Sequence, residues 1–133
     1  MKGLILIGKA GSGKDTVADY LVKKYGFVRY AFADKIRDIV IDLFPDEVVK
    51  GKPRRLLQTI GTSMRQLDPD VWARYLVHRI EKEKPSLFVV SDCRYPNELK
   101  MLWELGALPV FIDCPYELRM QRLAVRDGVV NES

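Results

Sequence analysis

Residues 4–21, LILIGKAGSGKDTVADYL, decide the fold. The apolar run that begins behind Lys2 and breaks at Gly8 has the pattern of a strand buried on both faces. Beyond it, Gly8-Lys9-Ala10-Gly11-Ser12-Gly13-Lys14 fits G-x-x-x-x-G-K. Val17, Ala18, Leu21, Val22 and Tyr25 then recur at helical spacing, which predicts a helix over 14–25 with those residues on one side. Glycines let a backbone fold into a cup whose N–H groups point at phosphate oxygens. The helix start adds its positive end, and Lys14 reaches the terminal phosphates. An ordinary glycine turn is the plain alternative, and the spacing, with strand before and helix after, weighs against it. The stretch therefore reads as a nucleoside triphosphate loop formed by Gly8, Ala10, Gly11, Ser12, Gly13 and Lys14.

Asp15 departs from the usual pattern, in which a hydroxyl follows the lysine and ligates Mg²⁺. A carboxylate near a triphosphate repels it unless a metal or an arginine intervenes. In the first turn of a helix it also suits the helix dipole. Thr16, one residue on, offers the missing hydroxyl, so Asp15 and Thr16 both stand as metal ligands.

Length and composition set the frame. At 133 residues the chain suits one domain with a real core. It is 47% hydrophobic and 30% charged, ordinary for a soluble protein, and its net charge of +4 suits an anionic ligand or nucleic acid alike. Cys93 and Cys114 each end an apolar run, which favours buried free thiols in a reducing compartment over a disulfide. The opening apolar run is too short for a signal peptide, and no segment approaches the roughly 20 apolar residues that span a bilayer. A cytoplasmic protein is expected.

Further along, GFVRYAFA reads as a second strand, with Asp34 capping a helix whose stripe is Ile36, Ile39, Val40 and Leu43. PDEVVKGKPRR reads as a polar connection, and RRLLQTIG as a short helix closed by Gly61. Asp68 and Pro69 suit the start of a helix carrying Trp72, Tyr75, Leu76 and Ile80. SLFVVSD is a third buried strand. Then comes a helix with Leu99, Leu102 and Trp103 inward and Gly106 as terminator. ALPVFIDCP is a fourth strand, and a last helix runs from Pro115 to about Arg126. Apolar strands alternating with helices imply an α/β fold, a parallel sheet with helices on both faces. Ligands bind such sheets beyond the carboxyl ends of the strands, where the glycine loop, Asp34, and Asp92 with Arg94 should converge.

At the end of LFVVSDCR, Asp92 suits Mg²⁺, held directly or through water, and Arg94 suits a phosphate. Arg119, Arg122 and Arg126 share one helical face. That face is either solvated or a clamp on a phosphoryl in transfer, the latter favoured for Arg122 and Arg126. KPRRLLQTIGTSMRQLDPDVW groups Arg54, Arg55, Gln58, Thr62, Arg65, Asp70 and Trp72, which suit an acceptor's phosphate, sugar and base. The helical spacing of Trp72 with Leu76 favours the core over base stacking. His78 has no partner for catalysis or metal binding.

On GKDTVADYL, VRYAFAD, RRLLQTIGT with DPDVW, and VVSDCRYPNELKMLWELGA, the chain resembles the P-loop nucleoside monophosphate kinases, and more closely the bacteriophage-type deoxynucleoside monophosphate kinases. These stretches fall in the same order and span most of the chain, and GKDT is itself usual in that family. The resemblance implies the three-layer P-loop fold in a single kinase domain over 1–133. It puts an acceptor-binding region at about 32–75 and a lid-side helix at about 115–133. It implies transfer of the ATP γ-phosphoryl to a deoxynucleoside 5′-monophosphate, with Gly11, Gly13, Lys14, Asp15 and Thr16 holding ATP and Mg²⁺. Lys14, Asp92, Arg94, Arg122 and Arg126 would be catalytic. Asp34, Arg55, Gln58, Thr62, Arg65, Trp72 and Arg94 would meet the acceptor, and Asp15, Thr16 and Asp92 the metal. Neither a membrane nor nucleic acid is required, and a homodimer stays open. Dephospho-coenzyme A kinase shares the loop, and DCPYELRMQRLAVRDG is similar to its lid-approach helix. A basic P-loop module that binds nucleotide or nucleic acid without turnover is the remaining alternative. These kinases have a fifth strand after the lid segment, so either the fold is minimal or it continues past Ser133.

Overall fold

The computed structural model describes residues 1–51 and 53–127, without side chains for 126 and 127. In chain order the elements are β1 (Lys2–Ile7), α1 (Lys14–Tyr25), β2 (Val28–Tyr30), α2 (Ala33–Leu43), α3 (Pro45–Val49), α4 (Arg54–Leu67), α5 (Val71–Glu83), β3 (Leu87–Val90), α6 (Pro96–Glu104), β4 (Ala107–Phe111) and α7 (Tyr116–Asp127). The strands form one sheet in the order β2-β3-β1-β4, every pair parallel. Ile5 of β1 and Tyr30 of β2 both pair with Val90 of β3. Three strands therefore end at one level, and whatever follows them shares one edge of the sheet.

Alternation along each strand sends side chains to opposite faces. Ile5, Phe88, Val90 and Tyr30 pack with Ala73, Leu76 and Ile80 of α5 and Leu102 of α6. Leu6 and Val89 pack with Ala18 of α1 on the other side. This is the three-layer arrangement the sequence implies, with β1 and β3 apolar throughout because both of their faces are covered.

Several expectations are corrected. β2 keeps only three residues, because Phe32 already turns into α2. Asp34 lies inside α2, not at its cap; its carboxylate accepts the Ala31 N–H at 3.0 Å and pairs with Arg79 at 3.1 Å. The polar connection contains α3. Gly61 does not end α4, which runs on to Leu67. Its bare Cα instead admits a close neighbour, since a Cβ there would stand 3.3 Å from Ile36 Cδ1 of α2. Asp68 closes α4, and Asp70 is the residue that precedes α5. Trp103, Tyr25 and Leu43 point to solvent, and Val22 is exposed too: their helices bury narrower stripes than the spacing suggested. β4 lies at the sheet edge with Leu108, Val110 and Phe111 exposed, so it is not covered on both faces among the described residues. Gly106, with φ of 104°, does stop α6 as expected. Among the described residues, no helix is long and apolar enough to cross a membrane.

Trp72 is core, which removes it from the acceptor candidates. It is 4% exposed, and its indole N–H donates to the Gly61 carbonyl at 3.1 Å. Trp72→Phe loses that bond and ring volume together, so urea denaturation should show a loss of about 1–3 kcal/mol.

Candidate active site

The loop after β1 is shaped by two left-handed glycines, Gly11 at φ 80° and Gly13 at φ 102°. Other residues strain at such angles. A Cβ on Gly11 would also meet the Arg119 carbonyl at 2.7 Å, so α7 lies directly against the loop. Gly13 caps α1, whose first N–H groups have no intrahelical acceptor. Ser12 Oγ is buried with no hydrogen-bond partner among the described residues, a polar atom left over in the loop. A cleft of about 400 Å³ is lined by Gly11, Gly13, Lys14, Asp15, Thr16, Arg122 and Leu123. Gly8 and Ala10 are half-buried at the base of the same loop.

Cations gather here. Burial, and next the charge of Arg94, hold the Lys14 ammonium below the ordinary lysine range. Two positive groups this close suit an anion between them. Arg122 donates from Nη1 to the Gly11 carbonyl at 3.2 Å, which sets its guanidinium on the loop's rim. Arg119 is buried with its guanidinium over the Tyr116 ring at 5.3 Å, so the arginine face of α7 turns inward at that point and is not solvated. The side chain of Arg126 lies outside the described residues.

Asp92 follows β3 and binds backbone. Its two oxygens accept the N–H of Phe32 at 3.0 Å and of Ala33 at 3.1 Å, pinning the start of α2 to the end of β3. Burial raises its pKa, while those two N–H groups pull the other way. Arg94 and Tyr95 are fixed by a residue the sequence reading did not single out. Buried Glu98, in the third position of α6, accepts the N–H of Arg94 at 3.0 Å and of Tyr95 at 3.1 Å. An acid three residues into a helix is the recognisable signal for such a cap.

Asp15 also has a partner that the sequence did not reveal. Arg29 of β2 reaches Asp15 at 2.6 Å and Ser91 Oγ at 2.9 Å with Nη2, and Asp19 at 2.9 Å with Nη1. Thr16 is exposed in the same cleft with its hydroxyl uncommitted by any described bond. Among the described residues no group of three or more His, Cys, Asp or Glu side chains forms a metal cage. Of the oxygen donors near the loop, Asp15 is taken up by Arg29, while Thr16 and, with each oxygen already accepting one N–H, Asp92 fit a hard cation such as Mg²⁺, which keeps waters and takes substrate phosphates as its other ligands.

The remaining candidates lie between β2 and β3. Arg55, Gln58 and Thr62 are exposed and share one face of α4. Arg65, further along α4, stacks over the Tyr95 ring at 4.9 Å, which brings α4 to the turn carrying Arg94. Asp34 is drawn into a network with Arg79, whose Nε also meets Glu83 at 2.9 Å. Cys93 and Cys114 are free and half-buried.

Comparison with known proteins bears on the family and the fold. A family model described as an AAA domain matches residues 4–130. A protein of Acanthamoeba polyphaga mimivirus named "Putative deoxynucleotide monophosphate kinase" is 31% identical over 140 residues, covering 83% of this chain and 72% of the relative. The deoxynucleoside-5′-monophosphate kinase of Escherichia phage T5 is 40% identical over 58 residues, which are 42% of this chain and 23% of that protein. Among solved structures, a gluconokinase from Sinorhizobium meliloti matches with a TM-score of 0.55 at 18% identity, over 96% of this chain and 66% of that one, and shares its fold.

Two measurements probe the site without ligand. Asp92→Ala removes the acceptor for both α2 N–H groups and should lower stability by about 1–2 kcal/mol in urea. Burial pushes the Cys93 thiol up to about 12, so almost none of it is thiolate at neutral pH. Iodoacetamide near pH 8 should leave Cys93 unmodified in the folded protein and label it in urea, as read by peptide mass spectrometry.

Proposed function

We propose, for a chain that belongs to the AAA domain family and to the deoxynucleoside monophosphate kinases of the P-loop superfamily, that it transfers the γ-phosphoryl of ATP to a deoxynucleoside 5′-monophosphate. Its relatives support a nucleotide kinase acting on small-molecule nucleotides. The observation that carries the proposal is a cleft lined by Lys14 and Arg122, with the charge of Arg94 felt at Lys14, around a loop with an orphaned buried hydroxyl.

In this reading the loop from Gly8 to Thr16 holds the donor's phosphates through backbone N–H groups and Lys14. Arg94, aimed by Glu98, bridges donor and acceptor. Arg122 screens the charge that spreads over the phosphoryl as it moves, and Arg126 extends that screen. Arg55, Gln58, Thr62 and Arg65 along α4 receive the acceptor, in a region of about 32–75, while about 115–133 forms the lid side. Asp34 acts through the fold of that region, since its carboxylate is already engaged. No covalent enzyme intermediate is required, because holding two anions in line and screening their repulsion lowers the barrier. Mg²⁺ would be held by Thr16 and, through water, by Asp92, and supplies charge neutralisation at the phosphates. Two free thiols and substrates of this kind suit a cytoplasmic setting.

The test is ADP release from Mg·ATP, with deoxy- and ribonucleoside monophosphates and dephospho-coenzyme A as acceptors. Turnover on a deoxynucleotide is expected, reduced about 100-fold or more by Lys14→Ala. Turnover on dephospho-coenzyme A alone, or salt-sensitive DNA binding with no ADP formed, would overturn the proposal.

A further inference from the structure

Asp15 poses a problem that the loop reading alone leaves unsolved. It puts a carboxylate in the first turn of α1, in the wall of the cleft that the loop forms. A full negative charge there opposes the binding of a polyanion. The helix dipole favours an acid at this position for folding, but it does nothing to remove that repulsion.

We infer that Arg29 is a positioning residue for the nucleotide loop: it neutralises Asp15 and holds its carboxylate to the β2 side, so that the loop keeps its affinity for phosphate. The inference rests on the reading of the loop as a nucleotide site. Three observations carry it. Arg29 makes its shortest contact, 2.6 Å, to Asp15. The same nitrogen donates at 2.9 Å to Ser91 Oγ, and Ser91 is buried at 6% exposure at the end of β3, immediately before Asp92. The second nitrogen takes Asp19, one turn further along α1, at 2.9 Å. One guanidinium thus spans the loop's helix and the strand that delivers the acid. Arg29 itself is a lone cation in a three-residue strand, between Val28 and Tyr30.

The plain alternative is an ordinary surface ion pair. Asp15 is 72% exposed and Asp19 60%, and such pairs add little to stability. The two readings differ in what they predict. A surface pair matters only to melting temperature, whereas a neutralising partner matters to anion binding, and only while Asp15 is charged.

The experiment is a double-mutant cycle read by titration of a fluorescent ATP analogue, in EDTA and again with Mg²⁺, beside thermal melts of each variant. Arg29→Met is expected to weaken nucleotide binding about threefold to fivefold at low salt, a loss that shrinks as salt rises. Arg29→Met with Asp15→Asn is expected to recover most of it, because the charge that needed a partner is gone. Arg29→Lys keeps the charge without the fork and should fall between, and it carries the test if Arg29→Met does not fold. Parental affinity in both Arg29 variants, or a loss that Asp15→Asn fails to recover, would overturn the inference while leaving the loop reading intact. A parental protein that binds no nucleotide would overturn the loop reading, and this inference with it.

Discussion

The carboxylate of Asp92, bonded to the Phe32 and Ala33 N–H groups, is the interaction on which the rest of the site depends. Parallel pairing brings the ends of β1, β3 and β2 to one level, but it fixes only the strands. Asp92 converts that alignment into a position for α2, and α2 packs on α4, where the acceptor candidates lie. The residue next to the glycine loop in space thus also orients the other half of the molecule. Its cost is a half-buried charge, and two backbone donors offset part of it.

Around this joint the electrostatics are arranged for anions. Burial, and next the charge of Arg94, lower the pKa of the Lys14 ammonium, Arg122 leans on the loop from α7, and Asp15 in the cleft wall is matched by Arg29. Backbone contacts do much of the placing: Glu98 sets the turn at Arg94, and the Gly11 carbonyl receives Arg122. An arrangement of this kind needs no reacting side chain, only fixed donors and charge.

The loop, β1, α1 and β3 were legible in the sequence because each rests on a short-range pattern: an apolar run, a glycine spacing, a helical stripe. Gly106 was legible for the same reason. What escaped depended on distant partners. Arg29 reads as an oddity in a strand until Asp15 and Ser91, 14 and 62 residues away, are seen beside it. Gly61 looks like a terminator, yet it serves as a contact surface for Ile36. Trp72 offered two roles in sequence; its helical spacing with Leu76 favoured the core, and its burial bears that out. Trp103 and Tyr25 fit a helical stripe but lie beyond the width that the sheet can cover. β4 has the composition of a buried strand and stands at an edge.

The central claim is that donor and acceptor phosphates meet in one place, between the loop and the turn at Arg94. Calorimetric titration with a single molecule carrying both halves, adenosine and a deoxynucleoside joined by five phosphates, tests this most directly. If the two sites converge, this compound should bind about 100-fold or more tighter than ATP, since one molecule then fills both at once. An affinity no better than that of ATP would contradict the account.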